Sequence, residues 1–352
     1  ELDINQNKLI NVSLNENSSE LNLLVVSASK FKQKIEEITV SMDVIDSKLI
    51  KSKNCITLSD LIRNVPSIQL IDGQLNIRSG SGWSYGTGSR VLVMVDEMPI
   101  LSADQGEVDF NLIPMENIEQ IEVIKGASSA LYGSSALNGI INIKTKTPSF
   151  KPQTTVSSFV GFWDSPKDPR NKWWGDSLML RNGISLSHSE KIKNLDLTLS
   201  ANHYNDRGYI KFINNQQTRI SANSKLVKDK VTFGLNLNYM QRKSGLFVMW
   251  QNDTNAYIPL GGTHIPNNGN RFYIDPSITY YHNSFKHILR SRILSRNLFY
   301  NDNPNNKNNS LLSFNEYQNQ FHDENTTITS GLTIVTLKGE TNSFNSQFTQ
   351  DD

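Results

Sequence analysis

The sequence predicts an α+β domain followed by antiparallel strands of a transmembrane β-barrel, a barrel incomplete within this chain. Three observations lead there. Up to about Pro148, strand-like and helix-like patterns are mixed, as in a compact α+β unit. After Pro148 helical periodicity nearly vanishes and long apolar/polar alternations take over. The links between them swing between short turns and long polar loops, the connection pattern of outer-membrane barrels. No run of about 18 apolar residues occurs, so no ordinary spanning helix is expected. Barrel strands, apolar on one face only, escape such a count.

The formal net charge is +1 over 352 residues, so no polyanionic partner is advertised and nucleic-acid binding is not expected. The single cysteine, Cys55, excludes an internal disulfide and a thiolate metal cluster. Residues 1–20 read as the last strands of an upstream domain with a polar linker, NENSSE, and both ends of the chain fall inside alternating runs. LNLLVVSAS, a short apolar and β-branched run from Leu21, gives way to the basic KFKQK. From Ile35 onward, ITVSMDVI is strand-like, TLSDLIRNVP has helical spacing with Thr57 as N-cap and Pro66 as stop, and RVLVMVDEMPI is a buried-type strand. IEQIEVIKGASSALYGSSALNGIINIKTK then sets strand-like ends around a middle of Gly, Ser and Ala. Such a middle permits close approach to another surface and cannot anchor a thick core by itself.

Beyond Pro148 the alternating segments are LDLTLSAN, TRISANSKLV, VTFGLNLNYM and ITSGLTIVTL. In VTFGLNLNYM one face carries Val231, Phe233, Leu235, Leu237 and Tyr239; the other carries Thr232, Gly234, Asn236, Asn238 and Met240. A membrane barrel turns the first face to lipid and the second to a wet lumen. Short links are expected at HSEKIKN, LVKDKV, HNSFKH and LKGETN. Long loops are expected at WDSPKDPRNKWWGDS, SGLFVMWQNDTNAYIPLGGTHIPNNGN and NDNPNNKNNSLLSFNEYQNQFHDEN. Roughly eight or nine strands fit, well short of the ~22 of a plugged transporter barrel.

The chemistry-bearing residues point away from catalysis. GSGWSYGTGS, from Gly80 to Ser89, lacks the lysine of a phosphate-binding loop and no helix follows it. Asp96 and Glu97 alternate across a strand and so face apart, which disfavours an acid/base pair. The six histidines show no ligand spacing. No metal site, cofactor or enzymatic activity is expected. Trp163, Trp173, Trp174 and Trp250 fall in long loops or at strand ends, where an interfacial aromatic girdle is favoured over ligand contact.

TLSDLIRNVPSIQL, LNIRSGSGWSYGTGSRVLVMVDEMPI and NLIPMENIEQIEVIKGASSALYGSSALNGIINIKTK together resemble the plug domain of TonB-dependent outer-membrane receptors, over Ile35 to Lys146. LNLLVVSAS resembles the TonB box, and the residues before it resemble the tail of a carboxypeptidase-regulatory-like domain. The resemblance divides the chain into that tail and linker (1–20), TonB box and linker (21–34), plug (35–148) and the N-terminal part of a barrel of the 22-stranded type (149–352). It implies that Leu24, Val25, Val26, Ser27 and Ala28 bind a TonB-type energising protein. It implies that plug loops carrying Ser81, Trp83, Tyr85, Asp104, Gln105 and Glu107 face the ligand. It also implies that Arg78, Glu119, Glu122 and Lys125 make ionic contacts between plug and barrel, the cations pairing with lumen carboxylates. Two departures from the family pattern stand out: Ser79 and Glu97 occupy positions where the family places glycine, so either the turn after Asp96 changes shape or Glu97 takes a strained one.

The resemblance implies a receptor in the outer membrane of a Gram-negative-type cell, N-terminus in the periplasm, that imports a small nutrient. Its partners would be the energising protein, outer-membrane lipid, and a surface lipoprotein or other outer-membrane subunits. Two rivals are a non-transporting scaffold subunit of an outer-membrane assembly and a soluble all-β glycan-binding protein. The small-residue stretch is expected to pack near the polar inner wall of the barrel.

Overall fold

The computed structural model describes residues 24–351 apart from 32, 54, 56, 72, 81–88, 128, 248, 262–263, 301–302 and 344–345. The proposed upstream domain tail, 1–20, lies outside the described residues. A short hairpin with strands of two residues each pairs β1 (Leu24–Val25) with β2 (Gln33–Lys34). The plug then follows: β3 (Met42–Asp46), α1 (Ser47–Ser52), α2 (Leu58–Ile62), β4 (Ile68–Ile71), β5 (Gln74–Ile77), β6 (Val91–Val95), β7 (Met98–Pro99), β8 (Ile118–Lys125), α3 (Ser129–Tyr132) and β9 (Gly139–Thr145). Its main sheet has the order β3-β8-β9-β6-β7, with β6 and β9 parallel and the other pairs antiparallel.

The plug sheet is covered on both faces, and so VLVMV of β6 is apolar without alternation. Val91, Val93 and Val95 join Leu58, Leu61, Ile121 and Ile141 in the larger core. Leu92 and Met94 join Ile124, Ala136 and Ile140 on the other face. Each of the Val, Leu, Ile and Met side chains contributes about 1.5–3 kcal/mol by leaving water. Thr57 caps α2 as expected: its hydroxyl accepts from Asp60 N–H at 3.2 Å while the Asp60 carboxylate accepts from Thr57 N–H at 3.1 Å. The helix ends at Ile62, before Pro66.

The small-residue stretch packs in part on the plug itself. It folds back over the plug's own sheet, burying Ala136 completely among Leu92, Met94, Ile124 and Ile140. Gly139 is required there: a Cβ would stand 2.3 Å from the Ile124 carbonyl oxygen, at φ +143°. Close approach is what the small residues supply, and the surface approached at Ala136 and Gly139 is the plug's own sheet.

The wall is a ten-stranded up-and-down meander: β10 (Gln153–Phe162), β11 (Leu180–Ile192), β12 (Leu195–Asp206), β13 (Asn215–Lys228), β14 (Val231–Phe247), β15 (His264–His282), β16 (Phe285–Tyr300), β17 (Asn303–His322), β18 (Thr327–Ser343) and β19 (Ser346–Asp351). Each pairs antiparallel with the next, and among the described residues β10 and β19 do not pair with each other. Two-residue turns close β11–β12, β13–β14 and β15–β16, with Lys193, Asp229 and Asn283 at φ 55°, 50° and 49°.

Two link assignments are corrected. LLSFNEYQNQFH is no loop but the second half of β17; its plug-facing side carries Leu312, Phe314, Glu316, Gln318 and Gln320, a mixture without a clear apolar period. The tight turn lies at 323–326, and LKGETN belongs to β18. In β14 the faces divide as expected. Phe233, Leu235, Leu237 and Tyr239 are exposed, whereas Asn238 and Met240 are buried against the plug. The seam is not purely polar, since Met240, Tyr273, Leu294, Leu312 and Phe314 belong to the plug's larger core.

Candidate functional site

Residues 24–30 are seated on the plug near the end of the wall with the tight turns. After β1 the chain closes a tight turn, with Ser29 and Lys30 N–H both donating to the Val26 carbonyl at 3.3 and 2.9 Å. Fully buried Glu122, on β8, receives Val26 N–H at 3.2 Å, Ser27 N–H at 2.9 Å, the Ser27 hydroxyl, and Gln120 Nε2 at 2.7 Å. Lys144 Nζ pairs with it at 2.9 Å. Burial pushes the Glu122 carboxyl up, but Lys144 and the Ser27 donors outweigh that and hold it below the usual glutamate range. Gln120 also donates to the Leu24 carbonyl at 3.1 Å, and the Tyr132 hydroxyl to the Ser27 carbonyl at 3.0 Å. Val25 and Ser27 are wholly buried, while Leu24 remains exposed and Ala28 packs at the edge of the smaller core.

The C-terminal end of this segment is held by the wall instead. Lys30 Nζ pairs with Glu316, lies 4.9 Å from the Tyr132 ring centroid, and its carbonyl receives Gln318 Nε2 at 3.0 Å and Gln320 Nε2 at 2.6 Å. Those three residues are successive inward positions of β17. Tyr132, in the small-residue stretch, was not singled out from sequence; a lone aromatic among Ser and Ala was the available signal.

The expected polarity of the plug–wall ion pairs is reversed. Among the described residues, Arg78 donates to Ser41 Oγ at 2.8 Å, Lys125 pairs with Asp43 at 2.5 Å, and Glu122 pairs with Lys144, all within the plug, while Glu119 is exposed. Across the seam it is mostly the plug that supplies carboxylates and the wall that supplies guanidiniums. Asp109 meets Arg271 at 2.5 Å and Arg242 at 3.7 Å; Glu116 meets Arg219 at 2.7 Å; Glu97 meets Arg290 at 2.9 Å; Asp104 meets Arg296 at 3.6 Å. Burial pushes the Asp109 carboxyl up, yet Arg271 and Arg242 hold it well below the usual aspartate range. Arg292, fully buried, pairs with Asp275 at 2.5 Å and donates to the carbonyls of Met98 and Pro99 at 2.8 and 3.1 Å. The signal for these arginines was present in the sequence as charges on the lumen side of alternating strands.

Of the proposed ligand-facing residues, Ser81, Trp83 and Tyr85 lie outside the described residues. Asp104, Gln105 and Glu107 share a loop closed by Ser102 N–H to the Glu107 carbonyl at 2.8 Å and Gly106 N–H to the Ser102 carbonyl at 3.0 Å. Asp104 is engaged by the wall through Arg296 and Asn308. Burial raises the Glu107 carboxyl against the pull of Arg296. Trp163 donates to Asp206 at 2.8 Å and packs on Tyr209, and Trp173 donates to the Tyr209 carbonyl at 2.8 Å, so both tie the 163–179 connection to the 207–214 one. Trp174 is buried, and Trp250 is exposed. Ser79 and Glu97, the departures from the family's glycines, both take left-handed backbone at φ 55° and 66°.

Residues 34–140 match the TonB-dependent Receptor Plug Domain family. The vitamin B12 transporter of Vibrio cholerae serotype O1 is 37% identical over 142 residues, which are 40% of this chain and 23% of that protein. The same transporter of Photobacterium profundum is 33% identical over 136 residues, 38% of this chain and 22% of that protein. The matched stretch is therefore under a quarter of the length of these relatives. Among solved structures, the ferric preacinetobactin receptor of Acinetobacter baumannii aligns with a TM-score of 0.67 at 11% identity, over 93% of this chain and 52% of that one. The ferric enterobactin receptor of Pseudomonas aeruginosa, a mutant form, aligns with a TM-score of 0.65 at 16% identity, over 87% of this chain and 50% of that one. At such identities the likeness is one of fold.

Proposed function

We propose that this chain, whose residues 34–140 match the TonB-dependent Receptor Plug Domain family and whose wall shares the fold of outer-membrane receptors, imports a nutrient energised through residues 24–28. Leu24, Val25, Val26, Ser27 and Ala28 form the strand to which a TonB-type inner-membrane partner adds by β-augmentation. The observation that carries this reading is how the segment is held. A short hairpin and one carboxylate clasp at Val26 and Ser27 are backbone contacts that a competing strand can replace one for one.

The nutrient belongs to the class carried by the relatives: vitamin B12 in the curated transporters, ferric chelates in the structural neighbours. It enters at the end of the wall bearing the 163–179, 207–214 and 248–263 connections. There the loop of Asp104, Gln105 and Glu107 is a proposed contact; Ser81, Trp83 and Tyr85, which lie outside the described residues, are proposed as further ligand contacts. Deletion of residues 24–28 in cells tests the reading. Uptake of radiolabelled cobalamin or of a ferric siderophore is expected to stop while surface binding persists; unchanged uptake would replace transport by the scaffold role.

A further inference from the structure

Glu97 stands where glycine would be unstrained. It and Asp96 form the two-residue turn between β6 and β7 at φ 66° and 51°, a backbone choice that costs roughly 1–2 kcal/mol per non-glycine residue. Its side chain opens a line of alternating charges through the wall. The Glu97 carboxylate receives Arg290 Nη1 at 2.9 Å, Arg290 Nε donates to Glu316 Oε2 at 2.6 Å, and Glu316 Oε1 pairs with Lys30. We propose that Glu97 is a positioning residue that governs how firmly residues 26–30 are held, although it touches none of them, acting through Arg290 and Glu316.

The reason is charge balance in a desolvated place. Side-chain exposure is 8% for Arg290, 3% for Glu316 and 13% for Lys30, and two carboxylates balance two cations. Without Glu97, one carboxylate must serve both cations, which then repel each other at low dielectric. Arg290 is fixed in β16 and tied to Gln318 at 3.2 Å. Lys30, on a short segment, is the cation that can return to water. Its departure leaves Lys30 held to the wall only through its carbonyl, by Gln318 and Gln320, and so loosens the turn that Lys30 N–H closes on the Val26 carbonyl and the seat of Val26 and Ser27. Displacement of the β6–β7 hairpin therefore reaches the segment through the wall.

The significance of this relay rests on residues 24–28 being the partner strand, but its test does not. Hydrogen exchange at the amides of residues 26–30 is measured in the full-length receptor. Glu97→Gln is expected to accelerate it about tenfold, with Lys30→Gln adding nothing to its own effect when the two are combined. Glu97→Gly separates charge from structure, since it relieves the backbone while removing the carboxylate. Accelerated exchange at 26–30 with β8 and β9 unchanged supports the relay. Unaltered exchange, additive effects in the double variant, or equal acceleration in β8 and β9 would each overturn it. Capture of a purified TonB carboxy-terminal domain by the same variants is scored separately: faster exchange without better capture keeps the relay and removes the partner reading.

Discussion

Glu122 is surrounded by donors from Val26, Ser27, Gln120 and Lys144, and its charge is what those donors share. Glu122→Gln keeps the shape but turns one acceptor into a donor facing donors. A loss of about 1.5–3 kcal/mol in the hold on Val26 and Ser27 is expected, read as faster exchange of their amides. The pH dependence has a definite sign. The docked carboxyl lies below its ordinary value of 4.5, so its contribution is fully present above that value and is lost as pH falls through the lowered one. Exchange at Val26 and Ser27, corrected for intrinsic rate, should be flat at neutral pH and rise in acid. In sequence, Glu122 is a candidate for an ionic contact with the wall; its partners are instead Lys144 and Ser27, and the latter lies 95 residues away, beyond any local pattern.

At the level of elements, β8 and β9 depend on the absence of a side chain at Gly139. Gly139→Ala sets a Cβ against the Ile124 carbonyl and a left-handed backbone at once; a loss of about 3 kcal/mol or more is expected from the two together, measured by denaturant unfolding of the refolded receptor. Thr57→Ala removes half of a capping box and should cost only about 1 kcal/mol. Elements with one unambiguous period were legible: β14 alternates because one face is exposed and apolar and the other meets the plug. β17 was not, because its plug-facing side must place Leu312 and Phe314 in the core and Glu316, Gln318 and Gln320 around Lys30.

For the whole molecule, the outer face of the wall and the plug seam obey different rules. Leu332 is 63% exposed on the outer face of β18. Leu332→Arg is expected to destabilise the folded receptor by about 2–4 kcal/mol if the residue sits near the bilayer midplane, seen as loss of heat-modifiable mobility on a gel. The seam is held by carboxylates of the plug against wall arginines. Asp109→Asn removes the shared counter-ion of Arg271 and Arg242, so hydrogen exchange in the adjoining 110–117 region should rise while the wall strands stay protected. Pairing of this kind, together with Met240, Tyr273, Leu294, Leu312 and Phe314, makes the seam stronger than a wet interface of Gly and Ser would be.

Local pattern along the chain was enough for the order of the two parts, the helix cap at Thr57, the two-faced alternation of β14 and the family resemblance of the plug. Each is local, since caps, periods and motifs are read within a few turns or one strand. Which residues meet across the seam emerged only in three dimensions. Tertiary packing placed the plug's carboxylates against the wall's arginines, folded the small-residue stretch onto its own sheet, and set Lys30 on β17. Those outcomes depend on which of several like-charged or small side chains face one another after the chain has folded, and no period or motif along the chain encodes that choice.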